Sequence, residues 1–531
     1  MTSLPAEAAY DEVPYTAHAF PETHPARLAA TATVLGLSPP AVETARILEL
    51  GCARGGNLLP MARSLPGATL LGSDLSGVQI REAQGLAKGS GLCNLAFEQR
   101  DLRTFPEDAG EFDYIICHGV LSWVPEDVRA ALFALIGRHL APQGVAFVSY
   151  NVDPGFRIRS LSREILRFYA EAAEGPPLAR LAAARAGLLA IAESGEKGAY
   201  HDALREEVAI LADTSDAYVL HEHLEDMNVP IRFDELAARA AESGLAWLAE
   251  APLPRTWPLN LPGERLAGRP EALLLRVQQE IDLRTGRAFR RSLLVRKAAL
   301  QSREPRAERL LDLHVRSSLR PDTAVDPRTN EPVTFRTKLG AIEIDDPLSK
   351  AAFSLLGAVY PCTRRVRDLA REAYELAGKP PSVADPEHAL ANDLLELFTS
   401  TELIDVLAWG AGPSSTVPER PFLPAFLRQR MGEDGGGTTF FHDNLRLNDP
   451  LYRAFVLTLD GTATREQLRA RGGKLMASLG LEPRGPRGEP LRSASTRTTR
   501  IRAIVDEILA SLTTGGYFAR GEGPADVRPT A

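Results

Sequence analysis

The sequence predicts an α/β fold built on a parallel sheet, and three observations lead to it. Between residues 45 and 150, short apolar runs alternate with segments of helical periodicity. The first run ends in a glycine-rich turn that opens straight into a helix. The later runs each stop at an acidic or polar residue. Strands that alternate with helices form βαβ units, and βαβ units pair their strands in parallel.

The elements follow in order. Arg46–Leu50 is the first strand, followed by Gly51-Cys52-Ala53-Arg54-Gly55-Gly56-Asn57 and a helix from Leu58. A second strand, 68–72, ends at Asp74 and leads to a helix from Ser76 to Ala87. Leu95–Gln99 is the third strand and stops at Asp101; Phe112–Cys117 is the fourth and runs into His118-Gly119. Val128–His139 reads as a helix, and Gly144–Tyr150 as a fifth strand after the Pro142-Gln143-Gly144 turn. From 155 to 235 the chain turns helical and alanine-rich, with helices over Leu161–Glu171, Leu178–Glu193 and Ala203–Ala212. Gly244–Glu250 and Arg290–Val295 then read as two late strands that complete the first sheet, which makes the helical stretch an insertion. Residues 301–340 are rich in arginine and proline and predict a linker or strapping segment. Ala341–Trp409 predicts three helices, and a break at Gly410–Ser415 sets off a last unit. Within that unit, Gly435–Gly437 and Pro483–Arg500 read as flexible loops. The division expected is therefore 1–155, 156–300, 301–410 and 411–531.

Composition narrows the function classes. The chain has 531 residues, with 61 Lys or Arg against 69 Asp or Glu, a formal charge of −8. That balance argues against nucleic acid as the default partner. The arginines between Pro483 and Arg502 are interrupted by Pro and Gly and lack interleaved aromatics, so they read as a solvated loop. The four cysteines, Cys52, Cys93, Cys117 and Cys362, form no C-x-x-C pair, which fits a reducing, cytoplasmic setting and no zinc site. The N-terminus lacks a basic region ahead of an apolar run, and no apolar stretch approaches the length of a membrane span. His221-Glu222-x-x-Glu225 reads as an ion-paired helix face rather than a metal site.

The glycine turn carries the most chemistry. Glycines at a strand-to-helix junction let backbone approach a ligand closely. The turn is not a Walker A loop, since no Gly-Lys-Ser/Thr follows, and it departs from G-x-G-x-x-G at Ala53. Asp74 closes the second strand 23 residues after Gly51, where a carboxylate can accept ribose hydroxyls. Asp101 closes the third strand, placed to receive an adenine amino group, and His118 follows the fourth. This succession is the S-adenosylmethionine (SAM) pattern of class I, Rossmann-like methyltransferases. Taken singly, each element is weak: Asp74 or Asp101 could simply cap a helix.

The chain also resembles the bacterial protein-lysine methyltransferases that modify outer-membrane proteins. The segments that carry the resemblance are Tyr15–Leu28, Leu48–Leu58, Gly72–Ile80, Phe112–Pro125, Val148–Gly155, His221–Asn228 and Arg287–Leu294. Such proteins join a class I methyltransferase to a regulatory domain, followed by mainly α, winged-helix-like C-terminal units. By that resemblance Glu49, Gly51, Asn57, Asp74, Gln79 and Asp101 look like cofactor contacts, with His118 close by and Tyr15 as a lid residue over the methionyl end. Leu121 and His223 stand where the family usually carries tyrosine. The acceptor-side candidates are Ser122, Trp123, Tyr150 and Asn151, at the ends of the fourth and fifth strands, where open α/β sheets bind ligands. His221, Glu222 and His223 come second. Trp123 offers a π-face for an ammonium group. His24 and Arg27, at helical spacing, are candidates for the cofactor carboxylate.

The leading expectation is a SAM-dependent methyltransferase acting on a side-chain nitrogen, lysine first, of a protein or peptide. A homodimer is compatible with it; a membrane or nucleic-acid partner is not expected. The alternatives are a methyltransferase of a peptide natural product (amide or carboxylate acceptor) or small metabolite, and a catalytically idle SAM-binding regulatory protein.

Overall fold

The computed structural model describes residues 18–521, apart from 196, 258–269, 411, 434, 486–488 and 492. Its main sheet has seven strands: β1 (Arg46–Leu50), β2 (Thr69–Asp74), β3 (Leu95–Gln99), β4 (Phe112–Cys117), β5 (Leu140–Asn151), β6 (Leu245–Glu250) and β7 (Phe289–Arg296). Their order is β3-β2-β1-β4-β5-β7-β6. The first five pair in parallel, and β7 lies antiparallel between β5 and β6. The fold is thus the Rossmann-like class I arrangement that the strand–helix alternation predicts, and the two late strands do complete the sheet.

The strands are near-continuous apolar runs because both faces are covered. Ile47, Tyr114, Ile116, Val145 and Phe147 pack into one core, together with α1 (Pro25–Val34), α2 (Leu58–Ser64) and α3 (Gly77–Gly89). Leu48, Leu50, Ile115, Cys117, Val148 and Tyr150 pack into the other, under α4 (Glu126–His139) and residues of the later helices. The insertion is three helices, α5 (Phe156–Ala172), α6 (Pro177–Ala192) and α7 (Ala199–Ala212), closed around their own core of Leu166, Leu181, Leu188, Leu204 and Leu211. It ends in one helical turn, Asp216–Val219, that continues into a π-helical turn, Leu220–Leu224. Two helices flanking the late strands, α8 (Phe233–Glu242) and α9 (Glu271–Thr285), were not read from the sequence.

Residues 301–340 are not a linker. They contain β8 (His314–Arg316), β9 (Arg320–Pro321) and β10 (Val333–Thr337), and β10 forms a hairpin with β11 (Gly340–Ile344). Pro327 and Pro332 fall outside these short strands, and Pro321 lies on the edge strand β9, where proline is tolerated. The expected three helices follow as α10 (Pro347–Val359), α11 (Val366–Leu376) and α12 (Pro386–Ser400). Asp346 and Asp385 start two of them by accepting a bond from the first-turn backbone. β12 (Arg364–Arg365) runs between α10 and α11, and β13 (Asp405–Leu407) follows α12; the two flank β8 in a second small sheet.

The last unit comprises α13 (Ala425–Glu433), β14 (Gly436–Thr438), β15 (Asn444–Arg446), α14 (Pro450–Val456), α15 (Arg465–Ser478) and α16 (Ala494–Thr514). Gly436 and Gly437, expected in a loop, pair with Arg446 and Leu445 instead. Gly437 lies in strand because a Cβ there would come within 2.7 Å of the Tyr517 hydroxyl. Arg497, Arg500 and Arg502 lie on α16 rather than in a loop, and Arg500 and Arg502 are paired with Glu507 and Glu466. Among the described residues, no helix is long and apolar enough to cross a membrane.

One ion network ties the C-terminal half to the first sheet. The Arg316 side chain is 4% exposed, and its Nη2 lies 2.6 Å from Asp405 and 2.8 Å from Asp443. Arg27 on α1 binds the same two carboxylates at 3.0 and 3.6 Å. Both guanidiniums hold the Asp405 carboxyl well below the usual carboxylate range against the opposing effect of burial. Replacing Arg316 with Met leaves two carboxylates sharing one guanidinium. The expected loss is about 3 kcal/mol, toward the low end for a broken buried pair because both carboxylates keep some solvent contact, read as a lower urea midpoint. An unchanged midpoint would show that the network does not hold the halves together. Because Asp405 is depressed in the folded state, its contribution is present above its ordinary value of 3.8 and fades in more acidic solution.

Candidate active site

The glycine turn is held from behind by β2. Gly51 and Cys52 both donate to the Ser73 carbonyl, at 2.8 and 3.2 Å. The Asp74 carboxylate accepts from the Ala53 N–H at 2.8 Å with one oxygen and from the Ser76 N–H at 2.9 Å with the other. It therefore bridges the turn to the start of α3. Gly51 has φ +75°, and a Cβ there would sit 2.3 Å from Val120 Cγ2. Glycine is required on both counts. Asp101 caps a short turn after β3 and is paired with Arg103, whose guanidinium holds its carboxyl below the usual range. Gln79 is buried in α3, and its Oε1 has no hydrogen-bond partner among the described residues.

Behind the turn lies a buried carboxyl. Glu49 is 3% exposed, and its Oε1 accepts from Asn57 Nδ2 at 2.9 Å. Its Oε2 has no partner among the described residues. Burial pushes its pKa up to about 8, Asn57 pulling it down and the Asp74 charge adding to the rise. Asn57 also receives the Phe20 N–H on Oδ1 at 3.1 Å and donates to Thr23 Oγ1 at 2.9 Å. Those bonds lay residues 19–23 over the carboxyl ends of β1 and β4. Phe20 stacks on His118 with ring centroids 3.7 Å apart, and Phe147 lies on the far side at 5.8 Å. So enclosed, and facing Arg291, His118 is held neutral, with its pKa pushed down to about 3. Tyr15, expected as a lid residue, lies outside the described residues.

The C-terminal unit reaches this same spot. His442 Nε2 donates to the Asn57 carbonyl at 3.1 Å, and Asn444 Nδ2 donates to the Ala19 carbonyl at 2.6 Å. His24 and Arg27, expected near the cofactor carboxylate, are committed elsewhere. His24 caps α1 and lies 3.1 Å from Ser64 Oγ, while Arg27 is spent on Asp405, Asp443 and two backbone carbonyls.

On the acceptor side the candidates separate. Ser122 is fully buried, and its Oγ accepts the Asn151 N–H at 2.9 Å, so it positions the end of β5. Tyr150 is withdrawn from the list. Its ring is fully buried in the core under β5, with its hydroxyl 3.4 Å from Ser292 Oγ, because alternate strand residues face opposite sides. Asn151 faces the other way and donates to Asn228 Oδ1 at 2.8 Å. Its side chain also bears on the Glu222 carboxyl, which burial raises to about 7 while Arg159, Arg163 and Asn151 pull it down. Trp123, next to Ser122 in the chain, is half-buried. His221 is buried with Nδ1 3.3 Å from Glu225 Oε1. His223 points among Arg163, Arg159 and Arg185, and burial with those charges pushes it down to about 4.

Comparison with known proteins agrees with this geometry. Residues 47–144 match a methyltransferase domain, and 215–296 match a predicted methyltransferase regulatory domain. The structure of PKMT2 from Rickettsia typhi superposes with a TM-score of 0.83 at 25% identity, over 96% of this chain and 100% of that one. Its complex with AdoHcy has the same fold. An uncharacterised Rickettsia prowazekii protein, RP028, is 36% identical over 44% of this chain and 93% of its own length. The chain belongs to the SAM-dependent methyltransferases. A longer relative, RP789, is 37% identical, and the match spans 54% of this chain and about half of that protein, 52%. A trans-aconitate 2-methyltransferase of Deinococcus radiodurans matches at 36% over only 20% of this chain.

SAM is the enzyme's cofactor, and the residues present fit it. The orphan Glu49 oxygen calls for a cationic or donor partner, and the Gly51 turn leaves room that a Cβ would fill. Several residues that shape the site had little signal in the sequence. Phe20 had none beyond its neighbours, and His442 and Asn444 lie more than 380 residues from what they touch. Leu75 could have been found: it is a 42% exposed leucine directly after Asp74, an apolar surface at a polar strand end. Gly51→Ala should abolish measurable S-adenosylhomocysteine binding in calorimetry, since positive φ and the Val120 contact oppose any side chain. Retained affinity would remove the turn from the site.

Proposed function

We propose that the enzyme transfers a methyl group to a side-chain nitrogen of a protein or peptide, with lysine the acceptor. The observation that carries this reading is the acceptor side: the Asn151 side chain meets the Glu222 carboxyl at the end of β5, and Ser122, in the turn after β4, holds the Asn151 N–H. A carboxyl at the carboxyl ends of the strands suits an ammonium-bearing side chain, and half-buried Trp123, next to Ser122 in the chain, would add a π-face. Whole-chain likeness to PKMT2 supports it. The partial match to a small-carboxylate methyltransferase covers part of the donor half alone, and an acceptor side holding Glu222 would repel a carboxylate substrate.

In this reading the division at 155, 300 and 410 separates a donor domain, a regulatory segment that completes the sheet, and two C-terminal units that handle substrate. Glu49, Gly51, Asn57, Asp74, Gln79, Asp101 and His118 serve the cofactor. Asp74 faces ribose hydroxyls, Leu75 offers an apolar surface to the purine, and Glu49 meets a cationic group of the methionyl end. SAM supplies an electrophilic methyl on a sulfonium. The protein's part is alignment and exclusion of water, since in-line displacement needs the nucleophile within roughly 3–3.5 Å on the correct axis. Neutral His118, covered by Phe20, keeps that region free of a competing cation. A lysine acceptor must lose a proton, at a cost of roughly 4 kcal/mol near neutral pH from its ordinary pKa.

Two measurements test the reading. Methyl-labelled cofactor followed by acid hydrolysis of the modified protein should yield methyl-lysine; alkali-labile methyl or methylated amide would overturn lysine. The second concerns Glu49. Its folded pKa of about 8 lies above its ordinary 4.5, so the folded state holds the proton more tightly, and Glu49's contribution to stability is full below 4.5 and lost as pH rises toward 8. A cationic partner reverses the preference. S-adenosylhomocysteine, which keeps the ammonium, should therefore release a proton on binding near pH 7 and bind more tightly as pH rises from 6 to 8. Calorimetry in buffers of different ionisation enthalpy reads the release, and Glu49→Gln should abolish it. Binding without proton release would take Glu49 out of the cofactor site.

A further inference from the structure

The regulatory segment meets the main sheet at the carboxyl ends of β4 and β5. Its π-helical turn, Leu220–Leu224, is the kind of irregularity that re-aims a side chain at functional sites. It is docked on the carboxyl edge of the sheet from several directions. The Asn228 side chain donates to the Glu222 carbonyl at 3.3 Å and receives Asn151 Nδ2 at 2.8 Å. The Val229 N–H donates to the Ser122 carbonyl at 2.8 Å. The Glu222 carboxyl is thereby brought to the side chain of Asn151, the last residue of β5.

We propose that Glu222 forms the subsite for the acceptor's primary ammonium and then receives its proton. The proposal rests on the lysine reading above. The charges around Glu222 are accounted for. From α5, Arg163 is spent on the Glu222 and Glu225 carbonyls, and Arg159 lies 3.8 Å from Glu207 of α7. Tyr218 faces the carboxyl from the preceding turn, and the neighbouring His223 is held neutral beside Arg185 of α6. His221, on the same turn, faces Glu225. The charges of Arg163, bound to carbonyls, and of Arg159, beside Glu207, keep Glu222 partly ionised. Its pKa of about 7 puts both forms within reach at working pH, the condition under which a proton acceptor is most effective.

The step balances. One N–H bond of the ammonium breaks, its proton passes to a Glu222 oxygen, and the electron pair stays on nitrogen. The N–C bond then forms as the S–C bond breaks, that pair remaining on sulfur. The second proton on nitrogen leaves to water, and Glu222 returns its own proton to water.

The test uses the full chain saturated with S-adenosylhomocysteine, with n-butylamine hydrochloride as the side-chain-sized probe in calorimetry. The probe stays protonated from pH 6 to 8, while a carboxyl of pKa about 7 goes from mostly neutral to mostly ionised. Wild type should show saturable binding that tightens by about tenfold across that range. Glu222→Gln should bind the probe at least tenfold more weakly and without pH dependence, with unchanged S-adenosylhomocysteine affinity as its own check on folding. Glu222→Asp, which keeps the charge, should retain the pH dependence. No saturable binding in wild type, or equal binding by Glu222→Gln, overturns the proposal. The product test above is separate: methyl-lysine together with Glu222-independent probe binding removes only this inference, whereas methyl on a carboxylate or amide removes the reading it rests on.

Discussion

A guanidinium buried between two carboxylates sets how the halves of this chain meet. Arg316 comes from a short strand in the middle of the sequence, Asp405 from the strand beside it, and Asp443 from the turn before β15. Arg27, from the helix that precedes the first strand, completes the square. A charge taken out of water is tolerable only when its partners are close and well aimed. That requirement permits one relative placement of α1, the small sheet and the C-terminal hairpin. Once the hairpin is placed, His442 and Asn444 fall onto Asn57 and Ala19 and hold the edge of the cofactor site.

The donor side shows residues serving structure and chemistry together. Asp74 closes the glycine turn with both of its oxygens, at the strand end proposed for the ribose. Asn57 links β1, residues 20–23 and, through its carbonyl, the C-terminal unit. Glu49 is left one hydrogen bond short inside the protein, which raises its pKa and makes it responsive to a cation. A site arranged in this way is assembled by folding and needs little rearrangement to bind.

Much of the donor half was legible because alternation of strand and helix survives in the sequence as apolar runs and glycine turns. The ends of β1 to β4, where Gly51, Asp74, Asp101 and His118 stand, follow directly from that alternation. The acceptor half was legible only as a neighbourhood. Strand β5 is buried on both faces, so hydrophobicity gives no sign of which residues face the core, and Tyr150 and Asn151 could not be told apart. Residues 301–340 read as a linker because their strands are two to five residues long, too short for period-two alternation to stand out against the prolines. The Gly436–Thr438 strand was hidden by its glycines, of which Gly437 lies too close to Tyr517 for a side chain.

By itself the sequence determined the methyltransferase fold and the family, and it named the strand ends where the donor-side candidates stand, because these depend on local order along the chain. Only the tertiary structure decided which side chains face the acceptor and which are spent on packing. It also decided that His24 and Arg27 join domains rather than hold a cofactor, and that a histidine at 442 supports an asparagine at 57. Those outcomes depend on burial and on partners hundreds of residues away, and desolvation acts on whatever the fold brings together, whatever its distance along the chain.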